Sequence, residues 1–235
     1  MVRDALSVWV QGQHLTSAAI NSYRSSFQAS PARFLVIEDF LVEGVAERLS
    51  EFLQSEAQFE TEYGVSSAED HKVDKDEWTR ASDEHRFFRY GRLVGTPAEF
   101  QFSNNSLTYL KFRTTFQADD NLRRFFENVT GLELARSDDF GSHSMGVADF
   151  LKDHDDNNRN RRLALVLYLS PDWKREYGGS LHIVDGEGRD SVVEPSFNSV
   201  VAFDTLAGTT HYVDPITEAA GEQKRVTIGG WYHNP

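Results

Sequence analysis

Apolar residues change their spacing along this chain. Val45, Leu49, Phe52 and Leu53 recur at helical intervals, which predicts an amphipathic helix over residues 43–56. Ahead of it, the run from Arg33 to Leu41 opens as a short strand through Ile37. Residues 1–29 read as a short helix with a polar stretch, its apolar points Val8, Trp9, Val10 and Ile20, and Pro31 breaks the pattern. A further helix is predicted over 119–130, opened by an aspartate cap and stopped by Gly131. Between these elements, residues 60–85 are polar and acidic. They read as a solvated loop, or as a lid over a site, since long loops in compact domains often serve one.

From Phe140 onward the pattern becomes one of short strands: 163–169, 178–184, 198–203 and 225–232. Strands this short and this close together predict a sandwich or barrel rather than alternating βα units. No internal repeat or low-complexity tract interrupts them.

At 235 residues the chain suits a single domain spanning 1–235, with 1–135 as helical support and lid and 136–235 as the barrel core. A net charge of -13 argues against a broad phosphate-binding surface, so nucleic acid is not an expected partner. The Arg86–Arg92 run of cations and aromatics therefore reads as an element beside the barrel mouth, not as an RNA-binding strip. Cysteine is absent, which excludes disulfides and thiolate metal sites. No apolar run reaches the roughly 18 residues that span a bilayer, and the start lacks a secretory core. The expectation is a cytoplasmic protein without membrane contact; its oligomeric state stays open.

The candidate chemistry begins at His154-Asp155-Asp156. In a strand, side chains two apart point the same way, so His154 and Asp156 can share one metal while Asp155 points elsewhere. His211 offers a third ligand from another strand. Two histidines and a carboxylate hold non-haem Fe(II) on one face and leave the other open. The tripeptide alone is a weak signal; the last strand sharpens it. Alternation puts Arg225, Thr227, Gly229 and Trp231 on one face. An inward arginine in an apolar strand needs an anion, and a carboxylate matches its planar fork.

Together, Phe150–Asp156, Arg161–Leu169, Gly178–Leu181, Thr210–Val213 and Arg225–His233 resemble the Fe(II)/2-oxoglutarate-dependent oxygenases, in their prolyl-hydroxylase branch, over roughly residues 31–235. The resemblance implies a mainly β fold with flanking helices: a double-stranded β-helix, jelly-roll or cupin-like, buttressed by N-terminal helices. It implies that His154, Asp156 and His211 ligate iron, and that Arg225 and Tyr168 hold the distal carboxylate of 2-oxoglutarate. Leu181 and Val213 would wall the cosubstrate, and Trp231 would line the substrate side. The implied cofactors are Fe(II), 2-oxoglutarate and O2, with ascorbate as reductant.

The implied reaction hydroxylates an unactivated C–H bond of a prolyl residue or amino-acid-type substrate, releasing succinate and CO2. Halogenating relatives replace the carboxylate ligand, so an intact Asp156 favours hydroxylation. One position departs from the pattern. Where the family often carries a tyrosine ahead of the first metal histidine, this chain has Ser144, and His143 is the candidate substitute. His182 should face away from the cavity, and His233 reads as a solvent or capping residue. Relatives that modify a ribosomal protein carry a second barrel, so this chain would match their catalytic half, and a smaller substrate becomes plausible. Alternatives are a biosynthetic hydroxylase of a free amino acid or small metabolite, a non-catalytic iron or 2-oxoglutarate sensor, and a cupin-like metalloenzyme, against which the inward Arg225 speaks.

Overall fold

In the computed structural model, which describes residues 6–66, 71–95, 102–157 and 160–235, local signals set the helices. Helix α1 (Ser17–Ala29) starts at Thr16, whose hydroxyl accepts the Ala19 N–H. Strand β1 (Phe34–Ile37) follows, then α2 (Glu43–Glu51), which runs on into a π-helical turn, Phe52–Glu56. Ala46, Leu49, Phe52 and Leu53 are its buried stripe.

The stretch read as a solvated loop folds differently. Its described residues form β2 (Phe59–Val65), β3 (Lys72–Val73) and α3 (Lys75–Arg80), and β4 (Arg86–Leu93) follows. β2 pairs along β4 from Phe59↔Leu93 to Val65↔Arg86. Of the acidic residues that suggested a loop, Asp74 caps α3, Asp76 and Glu77 lie in its first turn, Asp83 and Glu84 lie between α3 and β4, and Glu69 and Asp70 lie outside the described residues.

Helix α4 (Asn104–Ala118), which the apolar spacing did not announce, opens with a capping box between Ser103 and Ser106. Helix α5 (Asp120–Thr130) is capped by Asp119 and ended by Gly131 in the left-handed conformation (φ 78°), as the sequence predicted.

The rest is antiparallel sheet: β5 (Phe140–Met145), β6 (Phe150–His154), β7 (Arg161–Tyr168), β8 (Leu181–Val184), β9 (Asp190–Val193), β10 (Ser199–Asp204), β11 (Thr210–Val213) and β12 (Arg225–His233). The spatial order is β1-β10-β7-β12-β5-β4-β6-β11-β8-β9. Outward residues of the β7–β12 side, such as Leu163, Leu165 and Tyr232, pack on the helices; Tyr232 stacks on Phe116 at 5.2 Å. Inward residues, among them Ala164, Tyr168, Leu181 and Val213, form a second cluster inside the barrel. β12 is squeezed between β5 and β7, and this explains its glycine pair. A Cβ at Gly229 would lie 2.6 Å from the Leu165 carbonyl oxygen, and one at Gly230 would collide with the Asp139 carbonyl.

β4 joins the two halves. It pairs with β5 through Gly91↔Ser144 and with β6 through Phe88↔Leu151. The fold is the double-stranded β-helix with flanking helices that the sequence led us to expect. No described helix is long and apolar enough to cross a membrane.

Candidate active site

His154 ends β6 and His211 lies near the start of β11. The two are register partners, with ring centroids 4.1 Å apart. Asp156 lies just past the strand end, so simple strand alternation does not hold it; its carboxylate nevertheless turns back between the histidines. Oδ1 is 4.0 Å from His154 Nε2, and Oδ2 is 3.5 Å from His211 Nε2. One ligand atom from each residue lies within 4.8 Å of the others. The His154 Nδ1 donates to the Lys152 carbonyl at 2.9 Å, which leaves Nε2 as a free lone pair. Burial pushes the His211 ring down to about 3, and His154 adds to the effect, so His211 is neutral at neutral pH and can ligate.

Two further side chains hold Asp156. Arg161 Nη1 donates to Oδ1 at 2.9 Å, and the Trp231 indole N–H donates to Oδ2 at 2.8 Å. The Arg161 guanidinium lies 3.4 Å over the Trp231 ring, and its Nε donates to Asp139 at 3.0 Å. Arg161 carried no role in the sequence reading. Its one signal was its place at the head of the Arg161–Leu169 run, five residues past Asp156.

Arg225 is buried and faces inward, as alternation predicted. Its Nη1 meets the Met145 sulfur at 3.3 Å, and its guanidinium sits 4.9 Å from the Tyr168 ring centre. Among the described residues, neither Arg225 Nε nor the Tyr168 hydroxyl, both buried, has a hydrogen-bond partner of good geometry. Two such donors side by side mark an environment built around an acceptor supplied from outside the chain. Gly179 (φ 77°) lets the backbone pass over this arginine; a Cβ there would come within 2.9 Å of Arg225 Cδ.

A cavity of about 590 Å³ joins the three ligands to Arg225. Leu181, Val213 and Trp231 line it; Tyr168 is buried against Arg225 and is not among the lining residues. The donor set therefore fits Fe(II), and the cationic end of the cavity fits a second carboxylate.

His143 is on the cavity wall and Ser144 is not. Burial, with Arg92 adding to it, lowers the His143 ring to about 4, so it is neutral. Tyr90 of β4, unassigned in the sequence, lines the cavity beside it, 5.2 Å away and edge-on. Burial, with Glu62 adding to it, pushes the Tyr90 phenol up to about 12 and keeps it a proton donor. Phe87, Phe88 and Arg92 of the same run also reach the wall, consistent with an element beside the mouth.

His182 faces outward, as alternation from Leu181 required, and donates to Asp190 and Asp214 at 2.7 and 2.9 Å. His233 is no ligand either. It ends β12 and meets the Ser137 hydroxyl at 3.0 Å.

Residues 140–233 match the family model described as the 2OG-Fe(II) oxygenase superfamily. A prolyl 3-hydroxylase OGFOD1 of Xenopus laevis is 32% identical over 121 residues, which is 48% of this chain but 23% of that protein. The chain thus spans less than a quarter of that relative's length. Among solved structures, a Pseudomonas putida prolyl-4-hydroxylase superposes with a TM-score of 0.59 at 17% identity, covering 92% of this chain and 99% of that one. A prolyl hydroxylase of Trichoplax adhaerens, in complex with a hypoxia inducible factor peptide fragment, gives 0.56 at 15% identity, covering 93% of this chain and 94% of the other.

Proposed function

We propose that this chain, a member of the 2OG-Fe(II) oxygenase superfamily in its prolyl hydroxylase branch, is an Fe(II)- and 2-oxoglutarate-dependent dioxygenase that hydroxylates a prolyl residue. The observation that carries the reading is the pairing of two features in one cavity: a two-histidine and carboxylate ligand set, and a buried Arg225 whose Nε has no partner among the described residues. His154, Asp156 and His211 would hold the iron, and Arg225 with Tyr168 would take the distal carboxylate of 2-oxoglutarate. When bound, iron with 2-oxoglutarate and O2 supplies the oxidising power that inserts oxygen into an unactivated C–H bond, with succinate and CO2 released.

The chain's own residues bind, orient and exclude water. Leu181 and Val213 present apolar surface to the cavity that holds Arg225, which strengthens the attraction between a guanidinium and a carboxylate by keeping water away. Tyr90 offers a neutral O–H and His143 a neutral ring to the same cavity. Trp231 presents its face to the cavity as a surface for a prolyl ring. Peptidyl proline is favoured over a free amino acid because the Trichoplax relative is described in complex with a peptide. Ascorbate as reductant and a cytosolic setting complete the proposal.

The test combines turnover and binding. With Fe(II), ascorbate, 2-oxoglutarate and proline-containing peptides, a product heavier by one oxygen and stoichiometric succinate are expected; free amino acids form the comparison arm. His154→Ala should abolish both products. Arg225→Ala should weaken 2-oxoglutarate binding by orders of magnitude while metal binding survives. Unchanged cosubstrate affinity in that variant would sink the assignment.

A further inference from the structure

We infer that Arg161 and Trp231 are positioning residues that set the metal-binding geometry of Asp156, an inference that rests on the reading of Asp156 as a ligand. The three ligands are not held alike. His154 and His211 sit on paired strands, and their register fixes both backbones. Asp156 lies beyond the end of β6, so no ladder pairing orients it. It is also buried (5% exposed), where a carboxylate needs hydrogen-bond donors to keep its place.

What holds it is side-chain chemistry. Each oxygen accepts one bond: Oδ1 from Arg161 at 2.9 Å and Oδ2 from the Trp231 indole at 2.8 Å. A carboxylate has about four lone-pair sites, so two remain for a metal. Because the donors lie on different oxygens, they fix the rotation of the group about its Cβ–Cγ bond. The donors are themselves fixed. Arg161 is anchored by Asp139 at 3.0 Å and stacks on Trp231 at 3.4 Å. Trp231 lies on β12 directly opposite Ala164 of β7, three residues along from Arg161. The pair thus transmits the rigidity of the β7–β12 ladder to a ligand whose own backbone has none of it.

Arg161 carries a cost as well as a benefit. Its positive charge opposes a dication bound to the same carboxylate. The two roles predict opposite outcomes for its removal: lost positioning weakens metal binding, and lost repulsion tightens it. The double clamp, on a residue outside the strand pairing among the described residues, points to positioning as the larger effect.

The experiment is Mn(II) titration without O2 or 2-oxoglutarate, together with the visible spectrum of the Co(II)-loaded protein, on Trp231→Phe, Arg161→Gln and Arg161→Lys. Trp231→Phe keeps an aromatic face for stacking but loses the N–H together with part of the ring. Both Trp231→Phe and Arg161→Gln should lower Mn(II) affinity by roughly 10–100-fold, as loss of an outer-sphere partner commonly does, and should alter the Co(II) bands. Arg161→Lys, which keeps one charged donor, should recover part of the loss. Unchanged or tighter Mn(II) binding in both Trp231→Phe and Arg161→Gln, with unaltered Co(II) bands, overturns the inference while leaving the site intact. Failure of the unaltered chain to bind Mn(II), or binding that survives His154→Ala, instead removes the reading on which it rests.

Discussion

Replacing Tyr168 with phenylalanine should stabilise the protein and weaken its hold on 2-oxoglutarate. The Tyr168 side chain is 1% exposed, and its hydroxyl has no hydrogen-bond partner of good geometry among the described residues. Burial pushes its phenol pKa up, against the pull of Arg225 beside it. A buried unsatisfied hydroxyl costs about 1–3 kcal/mol, and Phe removes it without changing the ring's shape. Taking about 1 kcal/mol, the ligand-free variant should melt about 2–4 °C above the unaltered chain. The same hydroxyl, donating to a bound carboxylate, is worth about 1.5–3 kcal/mol, so the variant's Kd for 2-oxoglutarate should rise roughly 10–100-fold. The two effects cross. At a cosubstrate concentration of 100 times the unaltered chain's Kd, binding adds about 2.7 kcal/mol to that chain. A variant binding 30-fold more weakly gains only about 0.9 kcal/mol there, so the order of melting temperatures should reverse. Differential scanning calorimetry of Mn(II)-loaded protein with and without 2-oxoglutarate reads both halves. A variant that melts lower without ligand, or the same order at both concentrations, would refute the idea that this hydroxyl is held in waiting for a carboxylate.

Two further outcomes follow from packing and from charge. Gly229→Ala places a Cβ 2.6 Å from the Leu165 carbonyl oxygen, so β12 must shift away from β7; a loss of about 1–3 kcal/mol is expected by chemical denaturation. Gly146→Ala, where a Cβ meets nothing within 4 Å, is the control and should stay near neutral. On the outer face, burial disfavours the charged His182 ring, but hydrogen bonds to Asp190 and Asp214 outweigh it and raise its pKa. A group whose folded pKa is raised contributes stability that is complete below its unfolded pKa of about 6.5 and is lost as pH rises through the folded value. Stability should therefore decline from pH 6.5 upward by an amount that His182→Gln removes; identical pH profiles for the two proteins would count against the ion-pair reading.

The parts of the site that chemistry dictates could be read from residue type and spacing. A ferrous ion needs imidazole and carboxylate, so His154, Asp156 and His211 were visible as a set, and an inward arginine on an apolar strand is too costly to be incidental. Strand β7 was visible because it is packed on both faces and reads as a nearly continuous apolar run, and β12 because its alternation sets Arg225 on an inward face. The segment from Phe59 to Leu93 was not, because its composition hid the strands. Asp74, Asp76, Glu77, Asp83 and Glu84 made the whole stretch look solvated, whereas Glu62 of β2 reaches the cavity wall and is bridged by Lys72 at 2.7 Å. In β4, Arg86, Arg89 and Arg92 recur every third residue among Phe87, Phe88 and Tyr90, a spacing without the period of two that marks a strand.

This omission mattered more than its length suggests, because β4 lies between β5 and β6 and couples the Arg225 side of the cavity to the His154 side. The registers Arg225↔Met145 on β12–β5 and Gly91↔Ser144 on β5–β4 set Tyr90 beside Met145, in line with Arg225. A residue far from every motif thus reaches the cavity through two strand pairings that leave no trace in local spacing. The holders of Asp156 were hidden for the same reason: the Trp231 indole reaches it across 75 residues of chain, and no periodicity connects the two. Ligand identity is local chemistry and can be read locally. Ligand orientation is set by long-range register, so substitutions at Tyr90, Arg161 and Trp231 test the fold's contribution to the site, whereas substitutions at His154 or Arg225 test only the chemistry.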